Sequence, residues 1–267
     1  MYLTDSHAHS RVSPDGFDPM TEMARAALAA GMAALTLTDH CDLLATDGSA
    51  RTLQYDWTPV LAEREAMLAR YGTRLDLPLG VELGMAQIDP PAARRILAQP
   101  GLDFVIGSIH NRSEAAGGGE FYYGTYHDPA LCHATLDDYF TSMEALAPLD
   151  VYDVLGHINY PLRYMERDGQ TMSLAPYHAR IRAILRTVAE HGRGIELNTF
   201  RGKGVAPWRA LLALYKEVGG EIITVGSDAH RPESVGGGVA EAYALLEDLG
   251  FRYVAVYHDR TPEFYKL

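Results

Sequence analysis

Cysteine is nearly missing from this 267-residue chain, and positive charge is in short supply. Cys41 and Cys132 lie far apart with no CxxC spacing, so neither a disulfide framework nor a thiolate zinc site is expected. The formal net charge of −12 repels polyphosphate at long range. That excludes a broad electrostatic grip on long nucleic acid or an anionic membrane, while leaving room for a small anion held by local cations or metals. Long apolar runs are absent too. The most apolar window, residues 26–38, is too short and too rich in Ala and Gly to span a bilayer. The opening MYLTDSHAHS lacks the basic and apolar regions of a secretory signal, so a cytoplasmic chain is expected.

What the sequence does contain is alternation. Strand-like runs fall near 2–7, 33–38, 77–82, 102–108, 151–157, 194–198, 221–226 and 252–256. Helical patterns lie between them, near 19–30, 58–70, 90–98, 134–147, 176–191, 207–218 and 238–249. Asp18 reads as the cap of the first helix, with Pro19 opening it and Gly31 just past its end. Pro90, Pro176 and Pro207 open later helices, and Gly192 and Gly219 follow two helix ends. Repeated strand, helix, strand predicts an α/β barrel with a parallel sheet inside, and no linker divides residues 1–267. One irregular stretch, 111–128, is long enough to be a lid or a binding loop.

Polar residues of one chemical type sit where such a barrel builds its site. His7 and His9 follow the first run, His40 ends the second and Glu82 the third. His110 ends the fourth run, His157 the fifth, and Asp228 with His230 follows the seventh. All would meet at the C-terminal rim of the sheet, and i, i+2 spacing points His7 and His9 the same way. Packing six imidazoles and two carboxylates together without a cation is costly, whereas Zn, Mn and Fe accept both ligand types. His127, His133, His178, His191 and His258 read as ordinary surface or helix residues.

The motifs DSHAHSRVSPDG (5–16), LTDH (37–40), GVELG (80–84), IGSIH (106–110), LGHIN (155–159), ELNT (196–199) and GSDAH (226–230) run in order along the chain. Together they resemble the polymerase and histidinol phosphatase (PHP) superfamily. DDYFTSMEAL leading into DVLGHINYPLRY resembles its histidinol-phosphatase branch. The resemblance implies a distorted seven-stranded (β/α)7 TIM-like barrel, one PHP phosphoesterase domain over 1–267, holding three divalent metals (Mn, Zn or Fe). By that likeness His7, His9, Glu82 and Asp228 would hold the first. Glu82 would bridge to a second held by His110 and His157, and His40 and His230 would hold a third. Asp15 stands where many relatives carry histidine, and is either an added ligand or an exposed turn residue.

The implied reaction is hydrolysis of a small phosphomonoester, L-histidinol phosphate by the branch likeness, with a hydroxide bridging two metals as nucleophile. Arg163 and Arg201 are the candidate cations for the substrate phosphate. NTFRGK is compressed against the family's usual form, which puts the register of Arg201 in question. Asp39 reads either as a residue orienting a ligand or as a local turn aspartate. Phe121, Tyr122 and Tyr123 either face an imidazole-bearing substrate or anchor the long loop. Competing readings are a phosphoesterase for nucleotides, a metal-dependent amidohydrolase and a non-enzymatic metal-bound platform. The second conflicts with Ser108-Ile109-His110, where those barrels carry a modified lysine.

Overall fold

The computed structural model describes residues 1–267. The first apolar run becomes β1 (Thr4–Ala8), followed by α1 (Met20–Ala29) and β2 (Ala34–Leu37). A short β3 (His40–Asp42) continues the path of β2 after a break at Thr38 and Asp39. Next come α2 (Thr58–Tyr71), β4 (Gly80–Gly84), α3 (Pro90–Ile96), β5 (Phe104–Ser108), α4 (Pro129–Leu146) and β6 (Val154–Leu155). The chain then forms α5 (Tyr160–Arg167), α6 (His178–Glu190), β7 (Gly194–Asn198), α7 (Trp208–Glu217), β8 (Ile223–Gly226) and α8 (Val239–Asp248). It ends in β9 (Tyr253–His258) and β10 (Thr261–Lys266).

Strands β3 to β8 pair in parallel and in chain order. β1 pairs in parallel with β2 (Thr4 with Ala34), and Leu37 bridges to Leu79 at the entrance of β4. The circle closes where Ala8 bridges to Ala229, with the Asp228 N–H donating to the His7 carbonyl at 2.8 Å. With β2 and β3 counted as one path, seven parallel strands surround the core, as expected. Residues of β1, β2 and β4 to β8 are buried on both faces, which explains why they read as unbroken apolar runs. Closure needs Gly226, because a Cβ there would lie 2.3 Å from the Cβ of His7.

Three local expectations change. Asp18 does not cap α1; the N–H of Met20 donates instead to Glu63 of α2 at 3.0 Å, so a tertiary carboxylate replaces the local one. Helix α5, opening with Tyr160-Pro161 three residues after His157, was not anticipated. The run at 252–256 is no barrel strand. It forms β9 of an antiparallel hairpin whose Ala255 and Tyr257 pack on Phe104, Ile106 and Val154. The hairpin turn, Asp259-Arg260, is left-handed at both residues and is held by Asp103 and Asp153 at strand entrances. The hairpin therefore stoppers the N-terminal end of the barrel. No helix is long and apolar enough to cross a membrane.

Candidate metal centre at the C-terminal rim

Strand ends bring His7, His9, His40, Glu82, His110, His157, Asp228 and His230 together. Glu82 is central and buried, and its two oxygens face opposite groups. Oε2 lies 3.2 Å from His7 Nε2 and 3.5 Å from His9 Nε2, while Oε1 lies 3.1 Å from His110 Nε2 and 2.9 Å from His157 Nε2. The ligand atoms of His7, His9 and Glu82 all lie within 4.8 Å of one another, as do those of Glu82, His110 and His157. Trios of His9, His40 and His230, and of His40, Asp42 and His110, meet the same limit.

The far nitrogens of these rings say what the near ones present. His7 Nδ1 lies 2.5 Å from Glu196 Oε1, and His110 Nδ1 lies 2.6 Å from Asp42 Oδ1. His230 Nδ1 lies 3.0 Å from the Asp228 carbonyl, and His9 Nδ1 lies 3.2 Å from Ser13 Oγ, whose proton goes to Asp39 at 2.8 Å. Each Nδ1 therefore carries the hydrogen, and in a neutral ring each Nε2 turns a lone pair towards the cluster. Lone pairs then face a buried carboxylate at hydrogen-bond distance. Only protons or metal cations reconcile that arrangement, and imidazole with carboxylate is a donor set suited to divalent metals.

Electrostatics divide the rings. Burial pushes His40 down, but Glu82 and Asp42 outweigh it and hold the ring at about 9. Burial likewise opposes charge on His110, yet Asp42 and Glu82 raise it to about 10. His7 is driven well above the usual imidazole value by Glu196, Glu82 and Asp228 against the same burial. Burial keeps His9 and His157 below it. Burial favours a neutral Glu82, but His7, His110 and His40 hold it well below the usual carboxylate range. Burial also opposes charge on Asp228, and Arg163 and His7 overcome it.

Asp228 sits in the left-handed region (φ 59°), which aims its carboxylate inward. Arg163 Nη1 holds its Oδ2 at 2.6 Å, leaving Oδ1 3.9 Å from His7 Nε2 and 3.7 Å from His9 Nε2. Asp15 is 58% exposed at the rim, 3.1 Å from His230 Nε2 and 3.7 Å from His40 Nε2, so it joins the two rings expected around a third metal. Asp39 fastens Ser10 and Ser13 through both of its oxygens, and acts on His9 only through Ser13.

Above the cluster opens a cavity of about 330 Å³ whose wall carries Arg163, Arg201 and Arg231. Arg163 is buried, with Nη1 on Asp228 and Nη2 on Asn198 Oδ1, both at 2.6 Å. Arg201 reaches the rim because Phe200 and Arg201 are both left-handed (φ 48° and 58°), which absorbs the compression of NTFRGK. The aromatic triplet splits: Tyr122 is buried and donates to Asp138 at 2.7 Å, anchoring the long loop, whereas Phe121 and Tyr123 line the cavity. His127 is exposed beside Asp128, away from the cavity.

The family model of the PHP domain matches residues 5–200. The chain belongs to the PHP domain family. It is 27% identical over 266 residues to a probable histidinol-phosphatase of Deinococcus radiodurans, covering 96% of this chain and 97% of the relative. It is 24% identical over 264 residues to the histidinol-phosphatase of Lactococcus lactis, covering 96% and 95%. In fold it is similar to the crystal structure of the Lactococcus lactis histidinol phosphate phosphatase complexed with zinc, L-histidinol and phosphate. That likeness has a TM-score of 0.82 at 22% identity and covers 98% of this chain and 99% of the other.

Three site residues of this PHP domain escaped the sequence reading as working groups. Glu196 braces His7 and also accepts from the His157 N–H at 3.0 Å. Asn198 donates to Glu196 at 3.1 Å and accepts from Arg163. Asp42 braces His110. The available signal was Glu196 and Asn198 at i, i+2 in an otherwise apolar strand, the same spacing that marks His7 and His9.

Proposed function

We propose that this protein is a metal-dependent phosphomonoesterase that cleaves L-histidinol phosphate to L-histidinol and phosphate, a cytoplasmic step of histidine biosynthesis, with residues 1–267 forming one catalytic domain. The observation that carries the reading is Glu82, which offers one oxygen to His7 and His9 and the other to His110 and His157. A shared carboxylate between two imidazole pairs suits two neighbouring cations. Substrate identity is supported by the names of the relatives.

His7, His9, Glu82 and Asp228 would hold one divalent ion, and Glu82, His110 and His157 a second. His40, His230 and Asp15 would hold a third, with Mn, Zn or Fe as the metals. When bound, such ions acidify water and neutralise phosphoryl charge. The protein's own share is orientation. Glu196, Asp42, Ser13 and the Asp228 carbonyl each hold a proton on the outer nitrogen of an imidazole. Arg163 fixes Asp228 and adds a positive charge to the wall, and Arg201 offers the substrate phosphate a free guanidinium. Phe121 and Tyr123 give the organic part of the substrate an apolar wall.

The test is phosphate release from a panel of L-histidinol phosphate, nucleotides, a phosphotyrosine peptide and short single-stranded DNA, with elemental analysis of the protein. L-Histidinol phosphate should dominate, chelation should abolish release, and Mn or Zn should restore it. Undiminished release from metal-free protein, or preference for another ester, would overturn the proposal.

A further inference from the structure

Three guanidinium groups line the cavity, and they are not equivalent. Both terminal nitrogens of Arg163 are committed to Asp228 and Asn198. The side chains of Arg201 and Arg231 are engaged in no hydrogen bond or ion pair, although arginines elsewhere on this acidic surface find carboxylates, as Arg94 does with Asp150 and Arg180 with Glu144. Each of the two unpaired groups has an aromatic ring beneath it. Arg201 Cζ lies 4.8 Å from the centroid of Phe200, and Arg231 Cζ lies 3.9 Å from that of Phe17. Phe17 is itself 58% exposed and lines the same cavity, so its ring supports Arg231 without belonging to the core.

Stacking holds a guanidinium plane while leaving its N–H edges free, which suits a group that must bind the edge of an anion. The loops carrying the two arginines are locked together. Thr199 Oγ1 donates to the Gly237 carbonyl, and a Cβ at Gly238 would lie 2.7 Å from Gly202 Cα. The spacing of the two cations is therefore set by packed backbone.

We infer that Arg231, seated on Phe17, is a second phosphate-binding residue that works with Arg201 to hold the dianionic end of the substrate. The inference rests on the phosphomonoesterase reading, and adds a residue that the strand-end pattern did not single out. Phe17 is the positioning residue for Arg231.

The experiment measures calorimetric binding of inorganic phosphate, and separately of L-histidinol, to metal-loaded protein, together with KM and kcat for L-histidinol phosphate. Arg231→Met keeps a chain to lie on Phe17 but removes the charge. It should weaken phosphate binding and raise KM about tenfold, with metal content, L-histidinol affinity and kcat changed less than about twofold. Phe17→Leu, which leaves the cation in place, should weaken phosphate binding by about threefold at unchanged metal content. Phosphate affinity within twofold of the parent in Arg231→Met, or a loss that merely follows loss of metal, would overturn the assignment. Should the parent protein hydrolyse no L-histidinol phosphate while Arg231→Met still loses phosphate binding, the substrate would be wrong and the anion site would stand.

Discussion

Glu196 and His7, 189 positions apart, meet at 2.5 Å in the barrel interior, and that contact decides which nitrogen of His7 faces the cluster. Removing the carboxylate frees the ring to change tautomer and leaves the His157 N–H without its acceptor. Glu196→Ala should lower metal affinity or activity about 10- to 100-fold. Glu196→Gln should do nearly as much damage, because one end of the amide would present a donor to a donor. Metal content by elemental analysis, compared with phosphate release, checks both.

Gly84 faces Asp42 so closely that a Cβ would fall 1.7 Å from Asp42 Oδ1, the atom that braces His110. Gly84→Ala should expel Asp42 from that position. We expect a destabilisation of roughly 1–3 kcal/mol and a loss of activity larger than the loss of folded protein. Thermal melts alongside activity per folded molecule separate the two effects.

Arg163 is an internal brace, 7% exposed, so its removal strands Asp228 as an unpaired buried charge. Arg163→Ala should cost roughly 3 kcal/mol of stability and weaken metal binding as well as raising KM. Arg163→Lys should recover less than half of the loss, since one ammonium cannot span both Asp228 and Asn198. Denaturant unfolding and metal titration report on this; an effect on KM alone would contradict it.

Proton release should accompany metal binding. In the metal-free protein His40 at about 9, His110 at about 10 and His7 well above its usual value are protonated at pH 7, and each must lose its proton to bind a cation. Calorimetry at pH 7 in buffers of different ionisation enthalpy should register that release, and metal affinity should climb as pH rises towards 9–10. The sign for stability is opposite. Raised imidazole values stabilise the metal-free fold fully below about 6.5, and the benefit fades as pH rises through 9–10. The melting temperature of chelated protein should accordingly fall over that interval.

The rim residues were legible because each closes a strand: once β-runs alternate with helices, His40, Glu82, His110 and His157 have one place to meet. The helices were legible from Pro and Gly, as Gly192 and Gly219 show with their left-handed backbones after α6 and α7. What stayed hidden depended on pairs distant in sequence. Glu63 caps α1 from another helix, and Asp42 reads as one more polar residue until His110 arrives beside it. Helix α5 was masked by Pro161, which reads as a break and serves as an opening residue. The polar alternation of β10 gave no apolar signal, and β9 looked like a barrel strand because one of its faces does enter the barrel.

The bridge from Ala8 to Ala229 joins the beginning of the chain to nearly its end. A nascent polypeptide emerging from the ribosome thus carries half of a chelating cage for most of its synthesis, with His7 and His9 waiting for Asp228 and His230. Ring closure is the event that creates the cage, and so many sequence-distant pairings make it slow. Metal capture is therefore a late checkpoint of biogenesis, and free cation in the growing cell will distinguish a finished molecule from an unfinished one.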